Sequence, residues 1–396
     1  MTRVVVLGAG YAGSGAVQRL QKELDGGIDL TWISERDYHL VLHEVHRVIS
    51  NPDAESKVKI PVDEIKSAST EFVRGRVTDV DVDDRVVTVD DDLTVAYDYL
   101  LVALGSATAF YGIDGLREHS LTLKGLDDAR QIRESTLAAA ADATTDDPAQ
   151  IVVGGAGLSG IQTCGELARL RDERDLPIDV TLVEGLDEIL PGNDPELQGA
   201  LRKRLQTREI AITTGEFISR VDADTVYVGG GEEADPDELP YDVLVWTGGI
   251  TGQEEVGTAS VDKDERSNRV HSESTFETSD ERVFALGDAA LVSQGTDDIA
   301  PPTAQSAWQA AEVAGENVAR AIRGQPLKTW SFDDKGTVVS VGEDAVAHDV
   351  KLPGGVRVPI NTFGGPLART LKKAIAARWI ADVASVGRAV DAWDDM

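Results

Sequence analysis

Cysteine is almost missing: Cys164 stands alone in 396 residues. One thiol cannot close an intrachain disulfide, hold sulfur between paired cysteines or build a cysteine-based metal site. Lysine is scarce as well, with 12 residues beside 26 arginines. Together these 38 basic side chains face 70 acidic ones, for a net charge of −32. A surface of that sign repels phosphate backbones, so no nucleic acid is expected as a partner. Carboxylate-rich, lysine-poor surfaces resemble those of salt-loving microbes such as halophilic archaea, where multimolar salt cuts the Debye length to about 3 Å or less. No run of about 18 apolar residues occurs, so no simple membrane-spanning helix is expected. The opening Met1-Thr2-Arg3, followed at once by Val4-Val5-Val6-Leu7, lacks the parts of a signal peptide, and an intracellular protein is expected.

Glycine, by contrast, is plentiful at 38 residues, and 41% of the chain is hydrophobic, enough for two or three cores. Arg3–Leu7 reads as a buried strand, Gly8–Gly13 as a turn, Ser14–Leu24 as a helix and Leu30–Ser34 as a second strand. The same order recurs 147 residues later in Gln150–Val153, Gly154–Gly160, Ile161–Arg171 and Asp179–Val183. Between the copies, Glu71–Val89 reads as antiparallel strands turned at Asp83-Asp84. Tyr97–Ala103 reads as another buried strand, and Thr303–Arg323 as a long helix.

Each copy carries a GxGxxG turn between strand and helix: Gly8, Gly10 and Gly13 in the first, Gly155, Gly157 and Gly160 in the second. The first glycine makes the tight turn, the second lets backbone approach a pyrophosphate, and the third lets helix and strand pack closely. The helix N-terminus adds free N–H groups and partial positive charge for the phosphates. An acidic residue closes the following strand each time, Glu35 and Glu184, placed to accept ribose hydroxyls. No basic residue follows Glu184 in Gly185-Leu186-Asp187 to meet a 2′-phosphate, which favours NADH over NADPH. Two nucleotide domains suggest a flavin and a nicotinamide held face to face, with positioning supplying most of the catalysis.

Val283-Phe284-Ala285-Leu286-Gly287-Asp288 resembles the second FAD motif of the flavoproteins with two dinucleotide-binding domains. Leu101–Ser106, with Gly105, and Trp246–Gly249, with Gly248, resemble that family's two crossover strands. Within it the chain is most similar to the type II NADH dehydrogenases, single-chain NADH:quinone oxidoreductases that do not pump protons. Tyr38-His39 with Leu42-His43-Glu44, Pro301-Pro302-Thr303-Ala304-Gln305 with Gln309, and Asp334-Lys335-Gly336 with Val341-Gly342 carry the narrower resemblance.

That resemblance implies an α/β fold with two Rossmann-like domains and a small C-terminal membrane-docking region. The expected FAD domain is 1–112 with 245–325, the inserted NADH domain 113–244 and the C-terminal domain 326–396. It implies FAD held without a covalent link by the first glycine turn, Glu35, Arg36, His39, Gly105, Gly287, Asp288, Thr303 and Ala304. NADH would bind at the second turn with Glu184 and Gly248. Gln305 and Gln309 would lie beside the quinone, of menaquinone type, and Lys335 near the flavin.

The chain departs from the pattern in two places. Gln162 stands where many relatives carry Glu, with Glu166 one turn later as the remaining candidate carboxylate, and Trp308 is bulky for the edge of a quinone channel. Cys164 is read as buried and structural, and the missing redox pair disfavours the sibling sulfide:quinone oxidoreductases. His39, His43 and His46 have helical spacing, but the flavin context explains the first two better than a metal does, and none is expected.

From Gly364 to Arg388 the charge inverts to +4, and Leu367, Leu371, Ile375, Trp379, Val383, Val386 and Val390 recur at steps of three and four. This basic amphipathic stretch, with Trp379 and Trp393, suits docking on an anionic membrane surface at the cytoplasmic face. Packing on the protein's own acidic body, or on a second subunit of a homodimer, is the alternative. Two other functions stay open: an NADH-dependent reductase of a soluble redox protein, and a flavin-bound NADH sensor.

Overall fold

A computed structural model describes residues 2–24, 26–230, 235–295, 298–352 and 356–395. The acidic stretch 229–238 therefore lies partly outside the described residues. The chain opens with β1 (Thr2–Leu7), α1 (Tyr11–Glu23) and β2 (Ile28–Ser34), then the short α2 (Arg47–Ser50), β3 (Thr70–Arg74) and β4 (Tyr99–Val102). Helix α3 (Leu126–Asp142) leads into β5 (Ala149–Gly154), α4 (Leu158–Arg174), β6 (Ile178–Glu184), α5 (Pro195–Thr207), β7 (Ala211–Thr214) and β8 (Val243–Trp246). β9 (Val283–Ala285) then returns to the first sheet, and α6 (Ala304–Ile322) follows it.

Two all-parallel sheets result, ordered β9-β4-β1-β2-β3 and β7-β6-β5-β8. Val4–Leu7 and Ile151–Gly154 are wholly buried, as strands covered on both faces require. In each sheet the order reverses beside the first strand, between β1 and β4 and between β5 and β8. The carboxyl ends of strands at such a reversal open a ligand crevice.

Two expectations need correction. Thr70–Arg74 is the fifth parallel strand of the first sheet, and the antiparallel hairpin comprises only Val77–Asp81 and Val86–Val89, with Leu93–Ala96 added. Alternation of side chains cannot tell a parallel edge strand from a hairpin arm. The expected domain boundary between 244 and 245 falls inside β8, whose four residues all pair with β5.

Helices α1 and α6 cross closely over the first sheet because small residues meet there. A Cβ on Gly15 would lie 2.7 Å from Ala311 Cβ, and one on Gly315 would lie 2.8 Å from Ala16 O. The C-terminal part is an antiparallel sheet of β10 (Thr337–Val341), β11 (Asp344–His348) and β12 (Thr362–Gly364), followed by α7 (Pro366–Val383) and α8 (Val386–Ala392). Among the described residues no helix is long and apolar enough to cross a membrane.

Helix α7 is turned differently from the expected membrane-facing stripe. Trp379 and Val383 are buried, 2% and 1% exposed, while Leu367, Ile375, Val386 and Val390 face outward. Most of the basic residues are answered by the protein's own carboxylates: Arg369 by Glu343, Lys372 by Glu44 and Arg388 by Glu64. Cys164 is fully buried in α4, and burial pushes its thiol well above the usual range.

Candidate dinucleotide and electron-transfer site

The two glycine turns are geometric copies. Gly8 and Gly155 hold φ of +97° and +92°, and a Cβ there would lie 2.3 Å from Ala103 O and 2.5 Å from Gly248 Cα, the neighbours across each switch point. A Cβ on Gly13 or Gly160 would sit 1.9 Å from the carbonyl oxygen of Gly8 or Gly155. Over Gly10 and Gly157 nothing comes within 4 Å, so the face that a pyrophosphate would approach is open. That pattern, with each helix start aimed at the opening, fits two dinucleotides.

At the first turn Glu35 is exposed at the end of β2. The Arg36 guanidinium lies against Gly125 at the start of α3, where a Cβ would be 2.7 Å from its nitrogen. Gly105, at φ +71°, follows β4. Gly287 packs on Ala12 and Ala307, so Asp288 and the starts of α1 and α6 meet at one junction. Ser106 Oγ donates to Asp288 Oδ2 at 3.3 Å, and Lys124 Nζ donates to Ser106 Oγ at 3.1 Å. Burial lowers the Lys124 pKa, partly opposed by Asp288 and Asp128. Sequence reasoning missed Lys124, which belongs to no motif and reaches Asp288 only through the fold.

At the second turn the Glu184 carboxylate accepts from Ala156 N at 2.7 Å and from Leu186 N at 3.0 Å, which holds it at the rim of the glycine loop. Gly248 lies against the Trp246 ring.

Thr303 caps α6 by accepting from Ser306 N at 3.2 Å. Gln305 and Gln309 turn to the loop after Phe332. Gln305 Oε1 accepts from Lys335 N at 2.8 Å and its Nε2 donates to Gly336 O at 3.2 Å. Gln309 does the same for Asp333, at 3.1 and 2.9 Å. Both amides therefore clamp the backbone of 333–336, and the Lys335 ammonium pairs with the Asp333 carboxylate. Gln305→Ala is expected to cost about 2 kcal/mol, read as a lower thermal midpoint and as faster hydrogen exchange at the Lys335 amide.

A buried polar row runs between α2, α4, β10 and α7. Glu44 is fully buried between Arg47 Nε and Lys372 Nζ, the latter at 3.3 Å. Burial alone would raise its pKa, but Lys372 and Arg47 outweigh burial and hold the carboxyl well below the usual range. Gln162 satisfies its surroundings with the amide oxygen on Lys372 Nζ at 2.9 Å, Ser340 Oγ at 3.0 Å and His46 Nε2 at 3.2 Å, its NH2 donating to Leu158 O. A neutral acceptor thus stands on α4 opposite the Lys372 ammonium, one turn before Glu166. Glu166 accepts from Ser50 Oγ and lies 3.8 Å from both Arg47 and Arg169, and burial raises its pKa. It joins α2 to α4 rather than the junction around Asp288.

The three histidines point to separate partners and are not gathered as one cluster. His39 Nδ1 donates to Ala9 O at 2.8 Å, and its Nε2 accepts from Trp379 Nε1 at 2.7 Å. Burial holds its pKa down to about 4. Trp379, read from sequence as membrane-facing, is therefore keyed to the first glycine loop. It packs against Tyr11 at a tilt of 43° and edge to face against Trp308, each at a centroid distance of 4.8 Å.

Two glycine crevices, each with an acidic residue beside it, define a protein built around two dinucleotides. Residues 2–316 match the pyridine nucleotide-disulphide oxidoreductase family, and the chain belongs to that family. It is similar to the type II NADH:quinone oxidoreductase of Staphylococcus aureus, with 28% identity covering 98% of this chain and 97% of that one. The structure resembles that of NDH2 from Plasmodium falciparum in complex with NADH, with a TM-score of 0.83, 15% identity and 99% and 97% of the two chains covered. It also resembles the sulfide:quinone oxidoreductase of Aquifex aeolicus, with a TM-score of 0.79, 18% identity and 98% and 92% covered.

Proposed function

We propose that this protein is a type II NADH:quinone oxidoreductase, passing two electrons from NADH through FAD to a membrane quinone without pumping protons. The observation that carries the reading is the pair of superposable glycine crevices, one backed by Asp288 and the start of α6, the other by Glu184. The expected boundary at 244/245 is moved past Trp246 so that all of β8 lies in the inserted domain, and residues 1–112 with 247–325 hold FAD without a covalent link. Residues 113–246 hold NADH, and 326–396 form the docking part. FAD supplies the hydride-accepting and electron-passing chemistry. Gly8, Gly10, Gly13, Glu35, Arg36, His39, Gly105, Gly287, Asp288, Thr303 and Ala304 hold it, and Gly155, Gly157, Gly160, Glu184 and Gly248 hold NADH. Gln305 and Gln309 shape the acceptor side by fixing the loop that carries Lys335. Glu166 serves as a buried support. The lone Cys164, buried in α4, argues against sulfide as the donor.

The test is steady-state NADH oxidation at multimolar KCl with a soluble quinone of menaquinone type. NADH-driven quinone reduction far above background, with NADPH and sulfide inactive, is expected. Flavin reduced by NADH without quinone turnover would overturn the quinone assignment and leave a protein acceptor or a sensing role.

The protein docks on the cytoplasmic face of the membrane through α7 and α8. Because most of the basic residues there are neutralised internally, exposed Val386, Val390, Leu367 and Ile375 supply the attachment. Vesicle co-sedimentation is expected to depend weakly on anionic lipid content and to fall several-fold in Val386→Asp/Val390→Asp. Analytical ultracentrifugation at the same salt tests for a homodimer.

A further inference from the structure

Reduction of a quinone by NADH consumes one proton beyond the hydride, since NADH, a proton and quinone give NAD and quinol. Resting on the quinone reading above, we propose that Tyr11 and His43 form the pair that delivers this proton. Tyr11 Oη hands it to the quinone oxygen and His43 refills Tyr11.

The pair occupies the right junction. Tyr11 begins α1 directly after Gly10, next to Ala12, which packs on Gly287 of the Gly287-Asp288 turn. On its other side Tyr11 packs at a tilt against Trp379, and Trp379 edge to face against Trp308, one turn along α6 from Gln305. An aromatic layer therefore separates the flavin end of the first crevice from the outer face of α7, where the Arg378 guanidinium lies 5.3 Å from the Trp308 ring. Leu42, 37% exposed beside His43, and Ile375, equally exposed on α7, give this corner an apolar rim suited to a quinone.

Within the layer the Tyr11 hydroxyl is hydrogen-bonded to His43 Nδ1. The far ring nitrogen, His43 Nε2, is buried without a hydrogen-bond partner, as is Glu44 Oε1, 3.5 Å from it. A neutral imidazole with its proton on Nδ1 donates to Tyr11 Oη and frees the phenolic proton to point at an acceptor. When the quinone oxygen takes that proton, the Tyr11 O–H bond breaks and a quinol O–H bond forms. The Nδ1 proton passes to Tyr11 Oη, and Nε2 gains the replacement proton, which enters past the exposed edge of the His43 ring and, once on Nε2, faces the Glu44 carboxylate across the short gap. His43, one-fifth exposed at its side chain, is the member of the pair nearer solvent, and exchange with water returns it to its starting tautomer.

The groups facing His43 favour this neutral, relaying state. Burial lowers its pKa to about 4, helped by Lys372, Arg47 and His39 and opposed by Glu44. His46, on the same turn as Arg47, is likewise held neutral by burial. Tyr11 is pushed well above the usual phenol range, first by burial and then by Glu44, so it gives up a proton only as another arrives.

The experiment is anaerobic stopped flow on flavin-loaded Tyr11→Phe and His43→Asn proteins, with quinone affinity read separately from quenching of tryptophan fluorescence. Flavin content is measured first. His43→Asn decides the matter if Tyr11→Phe loses flavin, because His43 lies outside the glycine loop. Reoxidation of reduced flavin by saturating quinone is expected to slow at least tenfold in both, with quinone affinity within about twofold of the parent. The solvent deuterium isotope effect on reoxidation should also change. Reoxidation at the parental rate, or a loss matched by weaker quinone binding, would overturn the proposal. If the parent protein itself is not reoxidised by quinone, the quinone reading fails instead.

Discussion

Gly160→Val is expected to abolish flavin reduction by NADH, at least a thousandfold, while leaving the flavin of the first domain bound. The glycine's Cβ position lies 1.9 Å from Gly155 O and 2.8 Å from Thr247 Oγ1. Neither neighbour is free to retreat. Gly155 N is fixed to Val183 O at 2.8 Å, and Thr247 Oγ1 donates to the carbonyls of both Gly154 and Gly155. The added isopropyl group must therefore lift α4 off β5, and the helix start moves away from the pyrophosphate it would bind. The Glu184 carboxylate, tied to Ala156 N, moves with the loop. Absorbance near the flavin band, with and without NADH, reads both halves of the prediction at once. Retained flavin with undiminished bleaching by NADH would mean that the second crevice is not the nicotinamide site.

Glu44→Ala is expected to destabilise the protein by roughly 3–5 kcal/mol, the usual cost of removing one partner of a buried ion pair. The change strands Lys372, 5% exposed, and takes from Arg47 its hydrogen-bonded carboxylate. The double variant Glu44→Ala/Lys372→Met should recover part of the loss, since it leaves no unpaired ammonium. Denaturant midpoints at one fixed salt concentration give the comparison. Equal stability of parent and single variant would show that the pair carries no net weight.

The same row sets the acid side of the stability profile. His39 and His43 titrate near pH 4 in the folded protein against 6.5 when unfolded. The unfolded chain therefore binds more protons between those values, and stability present above about pH 6.5 is lost as pH falls toward 4. Glu44, depressed below its ordinary 4.5, adds a further loss below that pH. A tenfold difference in proton affinity between folded and unfolded chain is worth about 1.4 kcal/mol. Glu166 acts in the opposite sense, because its raised pKa favours the protonated fold at lower pH.

The nucleotide framework was legible in the sequence because its requirements are local. A positive φ at Gly8 and Gly155, an open face at Gly10 and Gly157, and helix contact at Gly13 and Gly160 are set within six residues of chain. The acidic residue closing the next strand follows at a nearly constant distance. The Thr303 cap of α6 is local in the same way. The roles of Gln305 and Gln309 were less legible. Their spacing placed both on one face of α6, but their amides are spent on the backbone of 333–336, 24 to 31 residues away.

What the sequence by itself determined is therefore two βαβ units, their glycine turns, the long helix α6 and an amphipathic C-terminal stretch. Only the tertiary structure decided how that last helix is turned. Periodicity sets the angle between side chains around a helix but not the rotation of the helix about its own axis. Trp379 faces inward because His39, 340 residues earlier, offers Nε2 to its indole, and Lys372 because Glu44 offers a buried carboxylate. Nothing within a turn of either residue signals that a charge or an indole must be satisfied from across the fold. The unfavourable burial of an unpaired ammonium or indole N–H makes the matching partner obligatory once the helix packs.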